Sequence, residues 1–146
     1  MSIEHTGISR FGRELGLTLS RQEDGSIVGV VTLQLGQEGP PYHVHGGVLC
    51  ALIDEAMGAS VWSTGRRSLA VNLNINYRRP VPLGVELRVT GRIEKIEGRK
   101  TFTSGQITLP DGLVATEGTG IFVETSLDAL RKARPPFGDP NGSEQD

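Results

Sequence analysis

From Val48 to Trp62 the apolar residues fall on every side of a helical wheel, the pattern of a helix buried all round rather than along one stripe. His45-Gly46-Gly47 precedes this run and Gly65 follows it, so the spacing predicts a helix that starts near Gly47 and ends before Gly65. Beyond it the period changes to two. In SLAVNLNINYRRP, residues 68–80, Leu69, Val71, Leu73, Ile75 and Tyr77 alternate with Ser68, Ala70, Asn72, Asn74 and Asn76, which predicts a strand with these two sets on opposite faces. VELRVTGRIEKIE follows Gly84, KTFTSGQITL follows the turn around Glu97-Gly98-Arg99, and LVATEGTGIFVE follows Pro110-Asp111-Gly112. Each reads as a strand leaving a tight turn. Upstream, alternating runs at 15–21 and 27–35 flank Glu23-Asp24-Gly25-Ser26 and predict a hairpin. Consecutive strands joined by tight turns make an antiparallel sheet. One long buried helix against it gives an α+β two-layer domain.

The ends carry weaker patterns. Residues 3–13, IEHTGISRFGR, contain two glycines and predict no more than a short helix or helical turn. SLDALRKA, from Ser126, predicts another short helix, and the Pro- and Gly-rich RPPFGDPNGSEQD after it predicts a disordered tail. The division expected is a single domain over residues 1–132 and a tail over 133–146.

Composition narrows the function classes. A chain of 146 residues is one domain of ordinary size, able to bury roughly two thirds of its unfolded surface. Fifteen Lys and Arg against seventeen Asp and Glu leave a net charge of -2, so overall charge points to neither nucleic acid nor an anionic membrane as partner. A lone cysteine, Cys50, excludes an internal disulfide framework and fits a reducing compartment. The first residues lack the basic-then-apolar order of a signal peptide, and no apolar run reaches the length of a membrane span. The location expected from these features is cytoplasmic.

Asp54 and Glu55 interrupt the apolar helix. Burying an unpartnered carboxylate costs several kcal/mol or raises its pKa, so the placement needs an explanation. One is structural: both acids pair with Arg or Lys from the sheet. The other is chemical. The first N–H groups of a helix lack intrahelical partners, and a glycine pair there lets other atoms approach the backbone. Gly46-Gly47 can therefore form an oxyanion site, or merely turn the chain into the helix. An oxyanion site and a desolvated carboxylate together are what acyl-group hydrolysis needs. Asp54 lies about 10–12 Å along the axis from Gly46, at about 1.5 Å per residue. A reacting atom must sit roughly 3 Å from both groups, so the acid serving one helix start would come from a second chain across a dimer axis.

HGGVLCALIDEAMG followed by NLNINYRRPVPLG resembles the hotdog-fold acyl-CoA thioesterases, most closely the PaaI-like, phenylacetyl-CoA thioesterase type. That signature is His-Gly-Gly with an acid nine residues after the histidine, the spacing of His45 and Asp54, and a Tyr-x-x-Pro strand end. The resemblance covers roughly residues 25–124. It implies a helix wrapped by an antiparallel sheet, a homodimer that joins two sheets, often paired into a tetramer, and hydrolysis of an acyl-CoA thioester at the dimer interface. It also implies that the Gly46 N–H polarises the carbonyl while Asp54 attacks it or activates water, with His45 fixing the start of the helix. No cofactor is implied, because coenzyme A is part of the substrate.

Other residues have assignable places in that scheme. Gly47, Ser68 and Asn72 are candidates for substrate contact, and Arg78, Arg79, Arg99 and Lys100 for the coenzyme A phosphates. Exposed basic residues at strand ends are also commonly plain solvated charge. His43 and His45 form an H-x-H pair near two acids, but the spacing matches no strong metal motif. Cys50, among Val48, Leu49, Leu52 and Ile53, is expected to be a buried, inert thiol. Glu55 is rotated by about 100° from Asp54 and cannot share its face. Two positions depart from the family pattern: relatives often carry Ser or Thr where Ala70 stands, and some carry Asn where Gly39 stands. The rival function classes are a non-catalytic acyl-CoA-binding or regulatory hotdog domain and an enoyl-CoA hydratase.

Overall fold

The computed structural model describes residues 8–133 and 135–138. A short helix α1 (Arg10–Glu14) leads into β1 (Thr18–Arg21) and β2 (Ile27–Thr32), and a 3-10 turn at Leu35–Gln37 precedes the long helix α2 (Gly46–Trp62). Four longer strands follow, β3 (Ser68–Tyr77), β4 (Glu86–Glu97), β5 (Lys100–Thr108) and β6 (Val114–Glu124), and then α3 (Leu127–Lys132). The expectations for residues 3–7 and for most of the 133–146 tail lie outside the described residues. All pairings are antiparallel in one six-stranded sheet of order β1-β2-β4-β5-β6-β3, so the α+β hotdog architecture is present. The turn glycines Gly25, Gly98 and Gly112 have positive φ of 87°, 60° and 85°, a conformation with little cost only for glycine.

Helix α2 packs against one face of this sheet, across β4, β5, β6 and β3. Its buried residues include Leu49, Leu52, Ile53, Ala56, Met57 and Val61. Each large side chain among them contributes about 1.5–3 kcal/mol by leaving water. The close approach depends on a row of glycines inside the strands: Gly91 pairs with Gly105, and Gly105 with Gly118. A Cβ at Gly91 would lie 2.4 Å from the backbone carbonyl of Ala56, and one at Gly105 3.2 Å from both Ile53 and Met57. Glycine inside a strand weakens it unless another backbone must come near. Here the helix backbone does.

Strand β3 departs from strict alternation. Ala70 pairs with Phe122 and Asn72 with Ile121, so the register slips at Val71. A bulge of this kind sends the residues on its two sides to opposite faces. Ser68 and Ala70 therefore face α2 together with Leu73, Ile75 and Tyr77, while Asn72, Asn74 and Asn76 face outward. The placement of Ser68, Ala70 and Asn72 on one face is corrected accordingly. Strand β3 is also a sheet edge, with Leu69, Val71 and Tyr77 half or more exposed.

Candidate active site

The segment before α2 is tied down on several sides. Val44 N–H donates to Val81 O and His45 N–H to Gln37 O. Tyr42 holds a positive φ of 68°, fixed by its N–H on Glu38 Oε2 and its carbonyl under Leu83 N–H. Gly39 lies against His45, where a Cβ would meet the His45 Cα at 2.7 Å. Any side chain at Gly39 would therefore press on the His45 backbone unless the segment shifted.

His45 is the N-cap of α2, whose first residue, Gly46, lies one residue before the Gly47 start predicted from the pattern. Its Nδ1 accepts the Gly47 N–H at 2.9 Å, which places a neutral ring's proton on Nε2. The Gly46 N–H, by contrast, has no hydrogen-bond partner among the described residues. Of the two glycines it is Gly46 that keeps a free donor at the positive end of a helix. The Gly46 carbonyl accepts the Tyr77 hydroxyl at 2.8 Å. Beside these atoms lies a hollow of about 510 Å³, largely apolar, with His43, Gly46, Leu49, Tyr77, Arg79 and Val81 in its wall.

The two acids of α2 have different fates. Glu55 receives the Ser9 N–H on one oxygen at 3.1 Å and the Ser9 hydroxyl on the other, which docks α1 on the long helix. Asp54 makes no hydrogen bond and no ion pair among the described residues. Burial, and secondarily the nearby Glu55 charge, push its pKa above the ordinary aspartate range. Neither acid pairs with an Arg or Lys from the sheet, so the structural explanation in that form is corrected.

Cys50 is also corrected. It is part-buried rather than fully buried, and stands one turn from Gly46 and one turn from Asp54 on the same side of α2. Burial and the Asp54 charge push its thiol pKa upward, which keeps it protonated. Burial and Cys50 likewise push the Tyr77 phenol up. The i, i+4, i+8 spacing of Gly46, Cys50 and Asp54 was the sequence signal for this face.

The proposed phosphate contacts divide. Arg78 donates to Glu117 from both Nε and Nη2, Nε at 2.8 Å, and both Arg78 and Arg79 border the hollow. Arg99 donates to the Glu124 carbonyl, and Lys100 pairs in register with Val123, beside Leu69. From Leu69 to Tyr77 is about 26 Å of strand, at about 3.3 Å per residue. The two basic groups therefore lie at opposite ends of the sheet in one chain. Asn74, Asn76 and Glu117 line a second, polar groove of about 530 Å³ on the outer face, away from Gly46 and Asp54. Among the described residues no three His, Cys, Asp or Glu gather as metal ligands; His43 Nδ1 donates to Pro41 O.

The sequence profile of the family described as Thioesterase superfamily matches residues 42–116, from the turn before α2 through β5 and into β6. The chain belongs to this superfamily. Acyl-coenzyme A thioesterase THEM4 of Xenopus laevis is 40% identical over 88 residues, which cover 60% of this chain and 40% of that protein. A solved thioesterase superfamily protein is 39% identical with a TM-score of 0.71, covering 73% of this chain and 55% of the other. The PaaI protein of E. coli, from the phenylacetic acid degradation operon, superposes with a TM-score of 0.73 at 20% identity, covering 77% of this chain and 86% of its own. The likeness to PaaI shows the shared hotdog fold. This superfamily member spans about two fifths of the length of the curated relatives it matches. None of its described helices is long and apolar enough to cross a membrane.

Proposed function

We propose that the chain is an acyl-CoA thioesterase that converts an acyl-CoA and water into a free carboxylic acid and coenzyme A, with each site shared between two copies. The observation that carries this reading is the contrast on α2: Glu55 is fully engaged with Ser9 while Asp54, desolvated, has no partner. A carboxylate with a raised pKa is a stronger base near neutral pH. The free Gly46 N–H supplies the complementary part, a donor for the oxygen that gains charge as the thioester carbonyl becomes tetrahedral.

Two routes use these groups. As general base, Asp54 takes a proton from water as the water oxygen bonds to the carbonyl carbon, and returns it to the sulfur as the C–S bond breaks. As nucleophile, an Asp54 oxygen bonds to the carbonyl carbon, the thiolate leaves, and water then cleaves the mixed anhydride. Either route needs Asp54 and Gly46 near one carbon, and eight helical residues hold them about 12 Å apart in one chain. The exposed edge strand β3, ten residues long with Leu69, Val71 and Tyr77 on view, supports pairing with a second copy. Such a homodimer, itself one half of a dimer of dimers, places the Asp54 of one copy towards the Gly46 of the other. The apolar hollow suits the pantetheine arm, and Arg79 at its wall the phosphates.

A second reading, acyl-CoA binding without turnover, is favoured by Ala70. It faces α2 on β3 and offers no hydroxyl to hold water or a carboxylate, and the Ser68 hydroxyl two residues away is buried without a partner. Thiol release measured across benzoyl-, phenylacetyl-, hydroxyphenylacetyl- and straight-chain acyl-CoAs separates the two. Turnover of any member supports the thioesterase. Binding of these compounds without thiol release supports the binder.

A further inference from the structure

We infer that Tyr77 is a positioning residue for the thioester carbonyl, an inference that rests on the thioesterase reading. Tyr77 is the last residue of β3, and its hydroxyl donates to the Gly46 carbonyl oxygen at 2.8 Å. That carbonyl belongs to the same peptide unit as the Gly47 N–H, which His45 Nδ1 accepts at 2.9 Å. The first peptide unit inside α2 is thus gripped at both ends, by a side chain from the preceding turn and by one from the edge strand. The donor left over is the Gly46 N–H, one bond system away from this clamp. A hydrogen bond to the helix's first carbonyl also opposes fraying of a glycine pair, the least restrained residues of the helix.

The aromatic ring contributes separately. A Cβ at Gly46 would lie 3.5 Å from the Tyr77 hydroxyl and from the ring carbon that bears it, so the ring leaves room for no more than about a methyl group over the Gly46 Cα. It forms wall of the same hollow that Gly46 and Leu49 line. The hydroxyl therefore sets where the oxyanion donor sits, and the ring sets how the ligand lies against it. Misplacing a donor by a fraction of an ångström lowers the chemical step more than ligand binding. Removing the wall does the reverse.

The experiment compares wild type, Tyr77→Phe and Tyr77→Leu on one acyl-CoA that the wild type turns over, with rates per folded protein measured well below each Tm. The nitrogen and proton shifts of the Gly47 amide are recorded alongside. Tyr77→Phe is expected to move the Gly47 resonance and to lower kcat about tenfold while KM stays within about twofold. Tyr77→Leu is expected to raise KM as well. Unchanged kcat in Tyr77→Phe, or a Gly47 resonance that does not move, overturns the positioning role. A wild type that releases no thiol from any acyl-CoA overturns the thioesterase reading instead, and this role with it; the amide shifts then still report whether the clamp exists.

Discussion

Glu55 binds Ser9 through both carboxylate oxygens, and Asp54, the residue before it, binds nothing among the described residues. This asymmetry separates a structural acid from a chemically available one on a single helical turn. It predicts opposite outcomes for the two amides. Asp54→Asn keeps the shape but can act neither as base nor as nucleophile, so turnover should fall about 10²-fold or more. Glu55→Gln should change turnover far less. Steady-state kinetics on both variants checks the assignment, and greater damage from Glu55→Gln would reverse it.

Glu55 has its own measurable effect. Glu55→Ala leaves the Ser9 N–H and hydroxyl without their acceptor and frees α1 from α2. The loss expected is about 1–2 kcal/mol of unfolding free energy, read by urea denaturation. Ser9→Ala keeps the backbone N–H bond to Glu55 but removes both the hydroxyl's bond to Glu55 and the cap on the Gly12 N–H, so the double variant should lose more than either single one and less than their sum.

The stability of the chain should depend on pH through Asp54. Burial raises its folded pKa above the ordinary aspartate range, so between the unfolded and folded values the native state holds a proton that the unfolded chain has released. Stability then falls as pH rises through that window. Above it the ionised carboxylate remains a cost. Asp54→Asn removes that cost, and the variant should have the higher Tm at about pH 7, with the difference closing at about pH 3 where both states are protonated. A lower Tm for the variant at neutral pH contradicts the unpartnered acid.

The glycine row makes a packing prediction. Gly91→Ala would put a Cβ 2.4 Å from the Ala56 carbonyl and 2.7 Å from Met57 N, and backbone cannot step aside as a side chain can. A loss of about 3 kcal/mol is expected. Gly36→Ala, with nothing within 4 Å of the added carbon, serves as the control and should be near neutral. Denaturant midpoints for the two variants decide it.

What the sequence made legible follows the strength of local patterns. The apolar run before Gly65 and the alternating strands between tight turns were readable because period and turn chemistry are local signals. The slip at Val71 was not: a bulge leaves alternation intact in the letters and breaks it in space, so Asn72 was placed with Ala70. The fate of Glu55 was invisible for another reason, since its partner Ser9 lies 46 residues away in a segment of weak helical pattern. The part-exposure of Cys50 is not legible because its neighbours in sequence are apolar, while its neighbours on the helix face are Gly46 and Asp54. The glycines within β4, β5 and β6 are a sequence signal of their own, marking strand interiors that make room for another backbone.

The central claim is that each site takes its N–H from one chain and its acid from another. Gly46→Pro removes the N–H, and the fold should accept it: position Gly46 is the first of α2, where proline is tolerated, and the preceding His45 has ψ of 134°, which suits a following proline. Asp54→Ala removes the acid. Each homodimer should be nearly inactive. The decisive measurement co-expresses the two variants with different tags, isolates the doubly tagged species and follows thiol release per dimer. A heterodimer with shared sites holds one doubly damaged site and one intact site, made from the Gly46 of the Asp54→Ala chain and the Asp54 of the Gly46→Pro chain, so activity should return towards about half that of wild type. A folded, stable heterodimer that stays inactive would contradict the shared site.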